Sequence, residues 1–213
     1  LAELGDAEAV LTAHKTEPVG RLKINVPVAF GRIQVMPVLL DFCRRHPNLR
    51  PEISFNDRFV DLIEEGVDVA IRIGASEPWP DNLGHRYLGS ERVIRCAAPA
   101  YLARRGTPAS VDDLEAFDCI LYGRGDGSTI NWRFAGDGGR VEDRPMTGRI
   151  VLGSAEAQVE TVKAGFGIAQ LATWLIKDEL ASGELVEILP DLATVGLPLH
   201  LVWPRRKQLT PKV

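Results

Sequence analysis

The sequence predicts an α/β fold of two Rossmann-like lobes, and three observations carry that reading. Short strand-like apolar runs alternate with stretches of helical period along most of the 213 residues. The alternation forms one β-α-β-α-β series before residue 75 and a second βα series after residue 93. A last strand pattern, "PLHLVWP", follows the second series and is expected to return to the first lobe.

Taken in order, "RLKINVPV" places Leu22, Ile24 and Val26 on one face and reads as a strand. From Gly31 to His46 the apolar residues Ile33, Met36, Leu39, Leu40 and Cys43 follow helical spacing, and Pro47 ends the helix. "PEISFN" reads as a second strand. Asp57 is expected to cap a short helix carrying Val60, Leu62 and Ile63 that stops at Gly66. "VDVAIRIG" is a third strand, nearly continuous in apolar residues, as in a sheet covered on both faces. A Pro- and Gly-rich loop, "ASEPWPDNLG", leads to a strand at "ERVIRCAAP".

Next come a short helix stopped at Gly106, a second helix capped by Ser110, and the strand "CILY". Residues 123–148, rich in Gly, Asp and Arg, read as irregular or edge structure. "GRIVLGSAEAQVETVKAGFGIAQLA" gives a strand, a turn, a helix with Ser154 as N-cap, a glycine stop, and a strand or buried turn. "ATWLIKDELASGELVEILP" gives a helix ending near Gly183 and a strand reaching Pro190.

The composition excludes several function classes. Apolar residues at 45% and charged residues at 25% suit a soluble globular domain, and no apolar run is long enough for a membrane span. A net charge of −4 argues against this segment gripping nucleic acid, and the run Arg205, Arg206, Lys207 reads as a solvated terminus. Cys43, Cys96 and Cys119 sit in apolar stretches and read as buried reduced thiols, in keeping with a cytoplasmic location. The four histidines have no partner at ligand spacing, so neither a metal nor a cofactor is expected. No nucleophile elbow is present, and the acidic pairs Glu64/Glu65, Asp112/Asp113 and Asp178/Glu179 lie at capping or solvated helix positions. A binding module is therefore expected, and no enzyme. The opening "LAELGDAEAVLTAHKTEPVG" reads as the end of a helix followed by a turn, so the chain is expected to be part of a longer protein.

Three turns run directly from a strand into a helix: "VPVAFGR", "FNDRF" and "LGSAE". In open α/β sheets ligands bind at the carboxyl ends of strands, where helix N-termini offer N–H groups to polar or anionic ligands. The helix at 31–46 also carries a second apolar set, Val35, Val38 and Phe42. That set fits a homodimer contact, or alternatively a surface covered by the second lobe or by the N-terminal helix.

The ordered series from "GRLKINVPVAFGRIQVMPVLLDFCRRHPNLRPEISFNDRFVDLIEEGVDVAIRIG" through "PAYLARRGTP", "DLEAFDCILY", "WRF", "VKAGFGIAQLATWLI" and "GELVEILP" to "LVWPRRKQLTPKV" resembles the effector-binding domain of LysR-type transcriptional regulators. The resemblance spans about residues 20–213. It implies a fold like that of type II periplasmic binding proteins, with two strands as a hinge near Glu91–Val93 and Gly196–Pro198. Residues 1–19 would end a linker helix, lobe I would comprise 20–92 with 197–213, and lobe II would comprise 93–196.

By that resemblance, the effector site between the lobes falls on Val28, Ala29, Phe30 and Gly31, on Asn56 and Asp57, and on Arg72, Ile73 and Gly74. In lobe II it falls on Tyr122 and Gly123, and on Gly153, Ser154 and Ala155. The first turn lacks the Ser or Thr common in the family. Phe30 and Tyr122 suit an aromatic or apolar effector, while Arg72 can pair a carboxylate or serve as a hinge or surface ion pair. The family further implies a homodimer or homotetramer, DNA contact through a winged helix-turn-helix upstream of this chain, and no membrane partner. The competing expectation is a periplasmic-type solute-binding protein of a transport system.

Overall fold

In the computed structural model, which describes residues 17–74, 78–136, 138 and 140–208, the front of the chain forms two neighbouring parallel strands. These are β1 (Gly20–Val26) and β2 (Leu49–Phe55), in register from Gly20↔Leu49 to Val26↔Phe55. The expected tail of the linker helix lies almost wholly outside the described residues. Two compact units are present, one built from the chain up to Gly89 and from Leu197 onward, the other from Ser90–Gly196.

In the first unit the connection from β1 to β2 is a helix, α1. It opens at Val28–Phe30, widens over Gly31–Val35 and continues as Met36–Arg45. The widening has a local cause. Pro37 has no N–H to give and its ring crowds the carbonyl four residues back. A turn closed five residues apart, with Met36 N–H donating to Gly31 O, relieves that crowding. Leu22, Ile24 and Val26 pack with Leu39 and Leu49 beneath α1. Strand β3 (Val69–Ile73) pairs parallel with β1, placing Asn25 opposite Ala70. The long strands β4 (Leu83–Ala97) and β11 (Thr194–Pro204) complete the order β2-β1-β3-β11-β4, with Val202 opposite Ala70 and His200 opposite Arg72.

The expected helix after Asp57 is absent. Residues 62–66 form turns: the Asp61 carboxylate caps the N–H groups of Ile63 and Glu64 at 2.7 and 3.0 Å, and Gly66 at φ +67° closes the chain after a single turn, its N–H on Ile63 O at 3.2 Å and that of Val67 on Leu62 O at 2.8 Å. Leu62 still buries itself, beside Val67, Ala70 and Val202 on the face of the sheet opposite α1.

In the second unit β5 (Cys119–Tyr122) lies parallel to both β8 (Ile150–Leu152) and β9 (Ile168–Ala172). Strand β9 runs antiparallel to β4, and β10 (Val186–Ile188) pairs with β4 as well. Helices α2 (Pro99–Arg105), α3 (Ala155–Lys163) and α4 (Lys177–Ser182) cover the sheet. Burial of Val159 and Val162 on α3 stabilises it by about 1.5–3 kcal/mol per side chain. Between Gly106 and β5 the Ser110 cap holds only a short 3-10 turn, Asp112–Ala116, with Asp113 reaching back to the N–H of Ala109 and Ser110.

Part of the region expected to be irregular or edge structure is a hairpin of β6 (Trp132–Ala135) and β7 (Val141–Arg144), whose Trp132 and Phe134 enter the core. Gln170 clamps it to β9 through both Arg133 backbone groups, at 2.9 and 2.7 Å. α4 is shorter than its apolar pattern predicts, because Ile176 is spent inside the core before the helix begins.

Candidate functional site

Each unit presents strand ends that feed a helix. In the second unit β5 and β8 are adjacent parallel strands, so their carboxyl ends meet. Gly123 N–H donates to Leu152 O at 2.9 Å, and a Cβ on Gly153 would stand 3.6 Å from Gly123 O. A side chain on Gly123 would meet Val151 Cγ1 at 2.6 Å, which is why the backbone runs so close there. Ser154 caps α3, its hydroxyl accepting from Ala157 N–H at 3.3 Å. Tyr122, Gly123, Gly153, Ser154 and Ala155 are thus one corner, built by parallel pairing. The capping group itself is a neutral hydroxyl, and Glu156 in the first turn is the acidic residue nearest in sequence to the positive end of α3.

In the first unit the ends of β1 and β2 meet in the same way, with Asn56 N–H donating to Val26 O at 2.9 Å. Here the helix end is occupied. Asp57 Oδ1 accepts from Val28 N–H at 2.9 Å, so the residue expected to cap its own short helix instead caps α1 from across the sheet end. Ala29, Phe30 and Gly31 are buried, and a Cβ on Gly31 would collide with Val26 Cγ2 and crowd the Phe55 ring at 3.0 Å. Asn56 Oδ1 accepts from Arg58 N–H at 2.9 Å. Ile73 and Gly74 follow at the end of β3, Gly74 with φ +75° and its N–H on Pro198 O at 2.9 Å.

Arg72 is drawn away from that group. Its side chain shares the sheet face of Asn25 and Ala70, buried to 4% exposure. One guanidinium nitrogen, Nη1, donates to Asn25 Oδ1 and to Ile71 O, and Asn25 in turn donates to Ser54 Oγ at 2.8 Å. Burial lowers the Arg72 pKa, opposed by the charge of Glu65. Arg72 lines a cavity of about 490 Å³ within the first unit that none of the other expected site residues lines. Sequence reasoning missed this cavity; its one signal was a charge within a strand covered on both faces.

Of the apolar set on α1, Val35 and Phe42 pack against the Leu22–Leu49 core, whereas Val38 is 67% exposed. All three cysteines are free, and burial pushes the Cys96 thiol up to about 12 and the Cys119 thiol to about 11. Among the described residues no cluster of His, Cys, Asp or Glu is arranged to hold a metal ion, and no helix is long and apolar enough to cross a membrane.

Comparison with known proteins places this geometry. Residues 15–213 match the family model described as LysR substrate binding domain, which carries the type II periplasmic-binding-like fold expected from the sequence. The chain is 35% identical over 216 residues to an uncharacterized HTH-type transcriptional regulator of Haemophilus influenzae, a match covering 100% of this chain and 73% of that protein. It is 32% identical over 191 residues to the HTH-type transcriptional regulator DmlR of Escherichia coli, covering 90% and 61% of the two chains. Among solved structures it is similar to CrgA, a LysR-type transcriptional regulator from Neisseria meningitidis, with TM-score 0.78 and 26% identity over 99% of this chain and 70% of that one. The CrgA regulatory domain alone matches with TM-score 0.77 and 26% identity, covering 90% of this chain and 92% of that one.

Proposed function

Because the chain belongs to the LysR family of transcriptional regulators, as their substrate-binding domain, we propose that it senses a small organic carboxylate through strand-end contacts in each of its two units. In the second unit the contacts are Tyr122, Gly123, Gly153, Ser154 and Ala155. In the first they are Val28, Ala29, Phe30, Gly31, Asn56, Asp57, Ile73 and Gly74. The observation that carries the assignment is the corner where Gly123 and Gly153 bring two parallel strand ends to the N-terminus of α3 under a neutral cap. Backbone N–H groups and the helix dipole there favour an anionic group. The corresponding end of α1 already holds the Asp57 carboxylate and suits neutral groups.

Effector binding acts by shifting the population of conformers. DNA is engaged by a helix-turn-helix portion beyond this chain, and the assembly is a cytoplasmic homodimer or homotetramer that works as a regulator and not as an enzyme. Support for this comes from the relatives, which are HTH-type transcriptional regulators. The same relatives disfavour a transport solute receptor. Thermal-shift screening of the chain against aromatic and aliphatic carboxylates tests the reading. A true effector at a hundred times its Kd raises the melting point by roughly 5–10 °C. A panel of carboxylate metabolites that all leave a clean transition unmoved overturns it.

A further inference from the structure

We propose that the β6–β7 hairpin is a latch on the strand that carries the chain out of the second unit, with Arg133 as its catch. The chain passes between the two units twice, at Gly89–Ser90 within β4 and at Gly196–Leu197 within β11. How stiff the chain is at those two points sets how freely it bends there. The inference goes beyond the sensing reading, and its test needs no effector. Strand alternation aims the catch. Trp132 and Phe134 enter the core, so Arg133 between them faces the opposite way, across from Asp143 in the hairpin register. Its Nη1 donates to Val195 O at 3.2 Å and to Gly196 O at 2.5 Å, while Nε pairs with Asp143 Oδ1 at 3.3 Å. Both carbonyls belong to the last two residues of the second unit before β11 crosses. Gly196 is also packed tightly on β4: a Cβ there would stand 2.9 Å from Val93 Cγ1 and 3.1 Å from Glu91 O. The glycine that makes room for one crossover strand is thus the residue whose carbonyl the catch holds in the other.

The catch stands on a fixed base. Arg133 O accepts from Gln170 Nε2 at 2.7 Å and from Arg95 Nη1 at 2.9 Å. Arg95 is fully buried, where a cation is disfavoured unless its donors are satisfied. Glu187, the acid whose charge supports it, is hydrogen-bonded to Arg92 at 2.6 and 3.3 Å. Arg95 therefore donates to backbone carbonyls, with its guanidinium 5.0 Å from the centroid of Phe134. Its Nη2 reaches Leu189 O at 3.4 Å, and Leu189 is the one non-glycine among the described residues with a positive φ, at +49°. Left-handed backbone at a leucine is strained, and such strain persists where surrounding contacts impose it. Leu189 opens the short turn Pro190–Leu192 that feeds β11 at Thr194. One buried arginine thus ties together the hairpin base and the turn before β11, and a second, half-exposed arginine holds β11 itself.

Hydrogen exchange and spin-label distances test the latch in the whole chain. Arg133→Ala is expected to speed exchange about tenfold across residues 193–199, while β5 and β9 keep their parental rates. Arg133→Lys, a single ammonium in place of a forked guanidinium, speeds it about threefold. For the distances, nitroxides are placed at the exposed positions Glu64→Cys in the first unit and Asp178→Cys in the second. The background is Cys43→Ser, diluted with unlabelled chain. Double electron resonance then gives a broader distance distribution for Arg133→Ala than for the parent, with Arg133→Lys between them. A role confined to stabilising the second unit would leave that distribution unchanged. The inference is overturned if exchange over 193–199 stays parental in both variants, if protection falls equally in β5 and β9, or if the distance distributions superimpose. Should Arg133→Ala fail to fold, Arg133→Lys decides on the same two readouts.

Discussion

Replacing Asp57 tests how the first unit closes the end of α1. The Val28 N–H to Asp57 Oδ1 bond, at 2.9 Å, joins residues 29 positions apart, so it caps the helix and ties the end of β2 to it. Losing an N-cap acceptor costs about 1 kcal/mol. Asp57→Asn keeps an acceptor and loses only the charge against the helix dipole, about 0.3–1 kcal/mol. For a chain of this size each kcal/mol lowers Tm by roughly 2–4 °C. Asp57→Ala therefore melts about 2–4 °C below the parent, and Asp57→Asn falls between the two. The alanine variant also uncovers the N–H groups of α1, so raising sulfate stabilises Asp57→Ala more than the parent. Scanning calorimetry at fixed ionic strength, with chloride exchanged for sulfate, reads both effects. An Asp57→Ala variant that melts with the parent, or an Asp57→Asn variant as unstable as Asp57→Ala, refutes the capping argument.

The remaining predictions concern packing and thiols. A Cβ on Gly167 would run into the backbone carbonyl of Asp118, which no side-chain rotation relieves. Gly167→Ala therefore destabilises by about 3 kcal/mol in urea unfolding, whereas Gly123→Ala, facing only the exposed Val151 side chain, costs less than about 1 kcal/mol. Native chain at pH 8 reacts with a thiol reagent at Cys43 alone, because Cys96 and Cys119 are buried with raised pKa values, and mass spectrometry counts a single adduct. The same shifts fix the sign of a pH effect. The folded thiols stay protonated while the unfolded ones ionise above pH 9, so stability falls as pH rises from 9 toward 11–12. Each thiol removes about 1.4 kcal/mol by pH 10, and Cys96→Ala has a measurably shallower slope.

Much of this fold could be read from local pattern. The alternation of Leu22, Ile24 and Val26 fixed one buried face of β1, and Ser154 before Ala155–Lys163 marked a helix start that the structure caps as expected. The failures are places where a distant or competing partner decided the local conformation. α1 begins at Val28, three residues before its expected start, because its cap comes from Asp57 rather than from a neighbour. The turns at 62–66 replace a helix because Asp57, its expected cap, is drawn to Val28, and the chain left between the Asp61 cap and the stop at Gly66 is one turn long. Of the two apolar sets on α1, Val35 and Phe42 fell to the core because the helix is widened before Pro37. The corner at Gly123 and Gly153 depends on β5 pairing parallel with β8, which "CILY" and "GRIVLG" do not announce on their own. The cavity around Arg72 was least legible, since Phe59, Trp79 and Val202 reach it from three separate segments.

Backbone amide chemical shifts, followed while the stabilising ligand from the carboxylate screen is titrated into labelled chain, test the sensing account most directly. The account predicts saturable shifts at Gly123, Gly153, Ser154 and Ala155 in the second unit and at Gly31 and Gly74 in the first. Saturation that leaves those six amides unmoved would contradict it.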